Sequence, residues 1–399
     1  MITINLATQT IGHHQLRYAD FEHGPAGRLI ATVHGAKAFV PNPLPPTLDY
    51  GRIALNLASA MAAMGELRGA CRRLPNPYIL IRPLQRLEAQ TSSAMEGTYT
   101  TADELVLAEA EIGEAPTSDA VEVRNYIRAL TWAEGSLATL PLSGRLLKGA
   151  HRRLLAQVGP VRGQDKQPGE YARDQNMIGG TNIGNARFIP PPPAETADAM
   201  AALERYLNRQ DKAAGAALID LALVHYQFEV IHPFADGNGR LGRMLISLMA
   251  LTEGLLDMPV LYMSPELERR KDAYIDHLYN VSSAGRWEEW IAFFLVTLTE
   301  SCTRTIATID RVLALHSTYQ DRARAISRSN NINAIVDMLF ENPAITPREI
   351  VARLSITDAA ARGLLRQLTE ARILRELADM YPKIWIADEL LAVSRPARD

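Results

Sequence analysis

The chain has 399 residues and a formal net charge of −3, with 47% hydrophobic and 22% charged residues. That is the composition of a globular protein of two or three domains, and it argues against a surface built throughout for nucleic acid. Cys71 and Cys302 are its only cysteines, which excludes a disulfide framework and a four-thiolate metal site.

No basic-flanked apolar leader and no long uninterrupted apolar run occurs, so a cytoplasmic chain with neither signal peptide nor membrane span is expected. Residues 1–50 lack periodicity and hold Pro41, Pro43, Pro45 and Pro46, which predicts an extended arm. Helical patterns dominate from 51 to 160. Within them, 83-PLQRLEAQTSSAM-95 reads as an amphipathic helix with Pro83 at its first position and Gly97 just past its end. Glu96 then falls in the last turn, where the macrodipole disfavours a carboxylate by about 0.3–1 kcal/mol. An acid placed there needs a cation from elsewhere.

A further helix is expected over 119–138. The Gly- and Asn-rich segment 160–193, ending in four prolines, predicts a loop with a short hairpin. Helical patterning resumes over 195–232, then over 240–253 up to Gly254, and again from 286 towards 328. The last segment reads as three helices and a strand pair at 379–387, the winged-helix pattern, with Thr346 and Thr357 as N-caps of its second and third helices. Residues 330–399 carry 9 Lys and Arg against 10 Asp and Glu, which favours a protein-interaction or dimer-positioning role over DNA binding. The expected division is 1–115, an arm and helical region; 116–304, a core; 305–329, a linker helix; and 330–399, the winged helix.

The segment 225-HYQFEVIHPFADGNGRLGR-243 carries the chemistry. Pro233 disfavours helical geometry at His232, so a helix ends there. Asp236 to Gly239 form a tight turn whose backbone N–H groups make an anion-binding nest. A second helix opens near Arg240 and adds its positive dipole end. Arg240 and Arg243 share a face of its first turn. So much positive charge calls for anions, and a polyphosphate fits, since guanidinium binds phosphate bidentately. Asp236, with phosphate oxygens and water, suits Mg²⁺. His232 suits a general base. A plain helix–turn–helix junction with solvated charges is the competing reading, and a P-loop is excluded by the absence of its motif. His225, Glu229 and His232 have the i, i+4, i+7 spacing of a transition-metal site, but the first two read better as structural polar groups.

HPFADGNGRLGR resembles the signature of the Fic (filamentation induced by cAMP) family, HPF-x-[D/E]-GN-G-R-x-x-R, at every fixed position. The Gly-rich flap upstream, the trailing W-x-x-W-I-x-F-F helix and the winged-helix end extend the likeness over most of the chain. The resemblance implies an all-α core with a short β-hairpin flap and a C-terminal winged helix. It also implies transfer of AMP from ATP, with Mg²⁺, to a hydroxyl of a target protein. His232 would be the base and Asp236 the metal ligand. The Gly237, Asn238 and Gly239 turn, with the Asn238 side chain, would hold the α-phosphate, and Arg240 and Arg243 the outer phosphates. Tyr274 would lie against adenine, and the flap at 176–189 would pair with the target by strand addition. Ser92 to Gly97 match the family's inhibitory motif [S/T]-x-x-x-E-[G/N], which makes Arg243 the cation for Glu96. Ser92, one turn earlier, would bond near the same edge.

Three alternatives stay open: removal of AMP by the same site, a winged-helix regulator that senses nucleotide, and transfer of UMP or phosphocholine. Partners left open are the chain itself, as target or in a homodimer, and, less favoured, DNA.

Overall fold

The computed structural model describes residues 18–393, apart from 22–23, 34, 73–77, 112–114, 160–162, 213–214, 328 and 378–381. A hairpin of β1 (Gly27–Ala31) and β2 (Lys37–Pro41) precedes a run of helices. These are α1 (Ala54–Arg72), α2 (Tyr78–Ala94), α3 (Ala102–Ala110), α4 (Ser118–Ser136), α5 (Gly144–Leu154), α6 (Pro193–Leu207), α7 (Ala217–Ile231), α8 (Asn238–Thr252), α9 (Ser264–Arg269), α10 (Lys271–Ala284) and α11 (Trp287–Ile326). The C-terminal part is α12 (Asn330–Glu341), β3 (Ala344–Ile345), α13 (Pro347–Leu354), α14 (Asp358–Glu370), β4 (Arg375–Glu376), β5 (Trp385–Ile386) and α15 (Asp388–Val393). Its strands form one antiparallel sheet in the order β3-β5-β4.

Helix α7 is the centre. Its sequence is apolar nearly all round, and every residue from Leu218 to Ile231 is buried. Its few polar side chains are mostly matched: Asp220 accepts from Tyr206 Oη at 2.6 Å, and Gln227 Nε2 donates to the Asn42 carbonyl at 3.0 Å. Helix α8 folds back along α7, and the turn between them is the signature loop. Helix α11 runs 40 residues, packed along α1, and crosses residue 304 without a break. Its Trp290 Nε1 donates to the Ala222 carbonyl of α7, while Tyr319 packs edge-on to Phe340 of α12. The apolar core is therefore continuous from the region around α7 and α8 into the C-terminal part.

The mostly helical architecture with a small flap is as expected, and Thr346 and Thr357 cap α13 and α14. Four local expectations change. The arm contains the β1–β2 hairpin, whose Phe39 is buried and donates its N–H to the Ile189 carbonyl. Pro83 lies inside α2, which begins at Tyr78; burial of Ile81 against the core outweighs the ring's local penalty. The stretch 195–232 is two helices, α6 and α7. The flap hairpin is reduced to one antiparallel bridge, Ile178 to Phe188, closed by a 3₁₀ turn at Ile183–Asn185. Residues 379–381 of the expected strand pair lie outside the described residues.

Helices α4 and α5 approach closely because residue 149 is glycine: a Cβ there would lie 2.2 Å from the Trp132 ring. Gly149→Ala is expected to lower stability by about 1–3 kcal/mol through overpacking, measured as a lower urea midpoint with an unchanged m-value.

Candidate active site

The loop between α7 and α8 is held by bonds from outside it. Helix α7 ends at His232 in the left-handed region, φ 49°, with its N–H on the Phe228 carbonyl. Gly237 also has positive φ, 79°, which a side chain would strain. Asn176, at the start of the flap, donates from Nδ2 to both the His232 and Phe234 carbonyls at 2.8 Å. His151 of α5 accepts the Gly169 N–H at Nδ1, so its proton sits on Nε2 and goes to the Asp236 carbonyl at 3.0 Å. Burial lowers His151 to about 4, keeping it neutral in this role. Nothing in the local sequence around the signature points to Asn176 or His151.

His232 is half-buried. Its Nδ1 faces the Glu229 carbonyl at 3.2 Å, so Nδ1 carries the proton and Nε2 is left as acceptor. Burial lowers its pKa, which favours the neutral imidazole a base requires. His232 lines a cavity of about 740 Å³, together with Glu96, Gly239, Arg243, Tyr274 and the flap residues Gly179 and Arg187.

Arg243 is 3% exposed and makes three bonds to the end of α2. Its guanidinium donates to Glu96 Oε1 at 2.7 Å, Ser92 Oγ at 2.9 Å and the Ser92 carbonyl at 2.8 Å. Burial pushes the Glu96 carboxyl up, but Arg243 outweighs it and holds Glu96 below the usual carboxylate range. Burial also opposes the Arg243 charge, and Glu96 more than compensates, so Arg243 is held more firmly protonated than usual. The Glu96 carboxylate lies directly over Gly239 at the start of α8, where a Cβ would sit 2.2 Å from Oε1. An acid thus occupies the helix N-terminus that the loop sequence prepares for an anion. Gly97, φ 82°, closes the turn after α2, and Lys271 Nζ holds it through the Met95 carbonyl at 2.6 Å.

Two expected phosphate contacts are absent in this arrangement. Arg240 is fully buried and does not line the cavity; it pairs with Glu122 Oε2 at 3.0 Å and Asp236 Oδ1 at 3.2 Å. Glu122, more than a hundred residues upstream, also accepts from Thr98 Oγ1 at 3.0 Å and was not singled out in the sequence. The Asn238 side chain is likewise occupied, accepting the Phe234 N–H and donating to the Phe234 carbonyl, so it shapes the loop. Tyr274 lines the cavity, but its hydroxyl donates to His225 Nε2 at 2.9 Å. His225 Nδ1 donates to the Gly242 carbonyl at 3.1 Å, which leaves neither ring nitrogen for a metal. Arg187 is no loose surface charge, since it is ion-paired with Asp276 and reaches the cavity.

Asp236 accepts the Gly237 N–H and Arg240 through Oδ1, leaving Oδ2 without a bond to the protein among the described residues. No cluster of three acidic, His or Cys side chains able to hold a metal occurs among the described residues. This donor set fits a hard cation held mainly by a ligand's own oxygens.

Glu229 is buried against α8, and its Oε1 has no hydrogen-bond partner. It fits only because residue 242 is glycine, where a Cβ would lie 2.1 Å from that oxygen. Burial pushes its carboxyl up to about 7, against the pull of Arg243. A raised carboxyl pKa means that the unfolded chain ionises first, so stability falls as pH rises from the ordinary value of 4.5 to about 7 and then levels off. Glu229→Gln removes that loss. The variant is expected to gain on wild type between pH 5 and pH 7.5, by up to about 3 kcal/mol, in urea titrations at each pH. A difference independent of pH would show that Glu229 is ionised throughout.

A family model described as Fic/DOC family N-terminal matches residues 54–134, and one described as Fic/DOC family matches residues 141–250. The "Protein adenylyltransferase Fic" of Drosophila sechellia is 34% identical over 142 residues, which are 36% of this chain and 26% of that protein. The protein of the same name from Drosophila willistoni is 27% identical over 300 residues, 69% of this chain and 55% of that one. The chain thus spans about a quarter to about half the length of these relatives. Among solved structures, a Fic family protein from Desulfovibrio desulfuricans shares the fold with a TM-score of 0.56 at 18% identity, over 86% of this chain and 98% of that one. The first family match contains the helix that ends at Glu96 and the second contains the loop that Glu96 covers, so residues 54–134 and 141–250 carry the two Fic/DOC family regions.

Proposed function

We propose that the chain is a protein adenylyltransferase held at rest by Glu96. The observation that carries this reading is the Glu96–Arg243 ion pair, 2.7 Å, laid over Gly239 beside His232. In the proposed reaction the oxygen of a Ser, Thr or Tyr hydroxyl attacks the α-phosphorus of ATP. Its proton passes to His232 Nε2, and pyrophosphate leaves. The amides opening α8 hold the phosphates, and Arg243 neutralises the outer ones once Glu96 has withdrawn. Arg240 then acts as a positioning residue for Asp236. Asp236 would hold Mg²⁺ together with the nucleotide's oxygens, and the ion would supply charge neutralisation of the phosphates. The Tyr274 ring bounds the nucleoside end of the cavity.

The flap from 176 to 189 receives an extended segment of the target by strand addition, next to the single Ile178–Phe188 bridge. The C-terminal part is read as a winged helix that positions a protein partner or a second copy. On α14, Arg362 is paired with Asp358 at 2.7 Å, and in the sheet Arg375 is paired with Asp388 at 2.6 Å, so part of the positive charge of this region is matched within the protein. No helix among the described residues is long and apolar enough to cross a membrane.

A second reading, removal of AMP, is favoured by one feature: Glu96 faces the cavity with its side chain 36% exposed, and could orient a water there. The two readings separate in one assay with α-labelled ATP, Mg²⁺ and lysate. Under the first, Glu96→Gly raises protein labelling about tenfold or more, and adding His232→Ala abolishes it. Labelling unchanged by Glu96→Gly would sink the brake. Loss of label from pre-modified protein by wild type, but not by Glu96→Gly, would favour the second.

A further inference from the structure

A second cavity, of about 750 Å³, opens on the far half of α2, between α3, α4 and the C-terminal α12 and α13. Five arginines line it: Arg82 and Arg86 from α2, Arg124 and Arg128 from α4, and Arg353 from α13. Three have carboxylate partners. Arg86 pairs with Glu109, Arg128 with Glu111 and Arg353 with Glu341. Arg82 and Arg124 have no carboxylate within ion-pair distance among the described residues.

Arg124 is the telling one. It is only 7% exposed, its Nη1 donates to the Ala108 carbonyl at 3.1 Å, and its Nε has no hydrogen-bond partner. Burial and the neighbouring Arg128 press its pKa down, against the weaker pull of Glu111 and Glu109, both already engaged by Arg128 and Arg86. Arg82 gains little from Glu134, which it faces electrostatically, because burial raises Glu134 to about 8 and leaves it largely neutral at neutral pH. A buried guanidinium without a paired counter-charge is costly, and an anion in the cleft would relieve that cost.

We propose that this cleft binds a small polyanion bearing a di- or triphosphate group. Two unmatched guanidiniums call for at least two negative charges, and planar N–H forks suit phosphate oxygens. A nucleic-acid backbone is the wrong shape, since Arg86 and Arg124 lie at the bottom of a concavity that a duplex does not enter. The ligand would bridge the core to the C-terminal part. It would also sit on α2 and α4, the helices that carry Ser92 and Glu122. The cleft is therefore placed as an effector site, and its occupancy is independent of the reaction proposed above.

The test is calorimetric titration of the full chain with inorganic tripolyphosphate at low salt. The catalytic loop is identical in every variant, so binding there cancels in the comparison. Arg82→Gln with Arg124→Gln should weaken binding about tenfold or more. Arg82→Gln alone, which removes no hydrogen bond or ion pair among the described residues, should weaken it in the same direction. Equal affinity in wild type and both variants, or no binding to wild type, overturns the proposal. So does binding of a DNA duplex without binding of tripolyphosphate.

Discussion

One buried cation organises the molecule. Arg243 sits in the first turns of α8, where a helix dipole repels positive charge, and almost no water reaches it. It is tolerable there only because the end of α2 brings an acid, a hydroxyl and a carbonyl to it. The exchange is reciprocal. The carbonyl of Ser92 belongs to the negative end of α2 and receives a guanidinium, while the Glu96 carboxylate meets the positive end of α8. Each helix supplies the charge that the other's terminus lacks. In the proposed reaction a ligand's phosphates would compete for the same place, so the one contact would serve both as a structural tie and as a brake.

Around that contact the site is built from distant segments. Asn176 and His151 fix the loop carbonyls, Glu122 fixes Arg240, and Arg240 fixes Asp236. Thr98, two residues past Glu96, bonds to the same Glu122 carboxylate. The end of α2 is therefore linked by contacts through Glu122 and Arg240 to the side chain at the proposed metal position. The groups that would meet the substrate, His232 and the amides opening α8, need no rearrangement of their own bonds.

Much of this was legible because the relevant physics is local. Positive φ at Gly237, the helix end forced by Pro233 and the i, i+3 arginines are properties of neighbouring residues, and they show in twelve letters. The caps at Thr346 and Thr357 were equally local. Glu96 was legible for a different reason: an acid at a helix end is locally unfavourable, and the conflict itself pointed outside the helix. The β1–β2 hairpin was not legible, since its stability comes from Phe39 packing on distant aromatics and from a bond to Ile189. Nor was the start of α2, where tertiary burial overrides the proline.

The sequence by itself determined the loop, the position of His232 at its start, the charge conflict at Glu96 and the family likeness, because each depends on spacings of a few residues. Only the tertiary structure decided which arginine faces the cavity. Arg240 and Arg243 are equivalent by spacing, yet one is enclosed by Glu122 and Asp236 while the other lies at the cavity wall. The same holds for Glu229, whose burial and raised pKa depend on Gly242 of the next helix, and for the arginine cleft, assembled from helices far apart in the chain. Burial and charge neutralisation are sums over space, and a one-dimensional pattern records them only when the partners are neighbours in the chain.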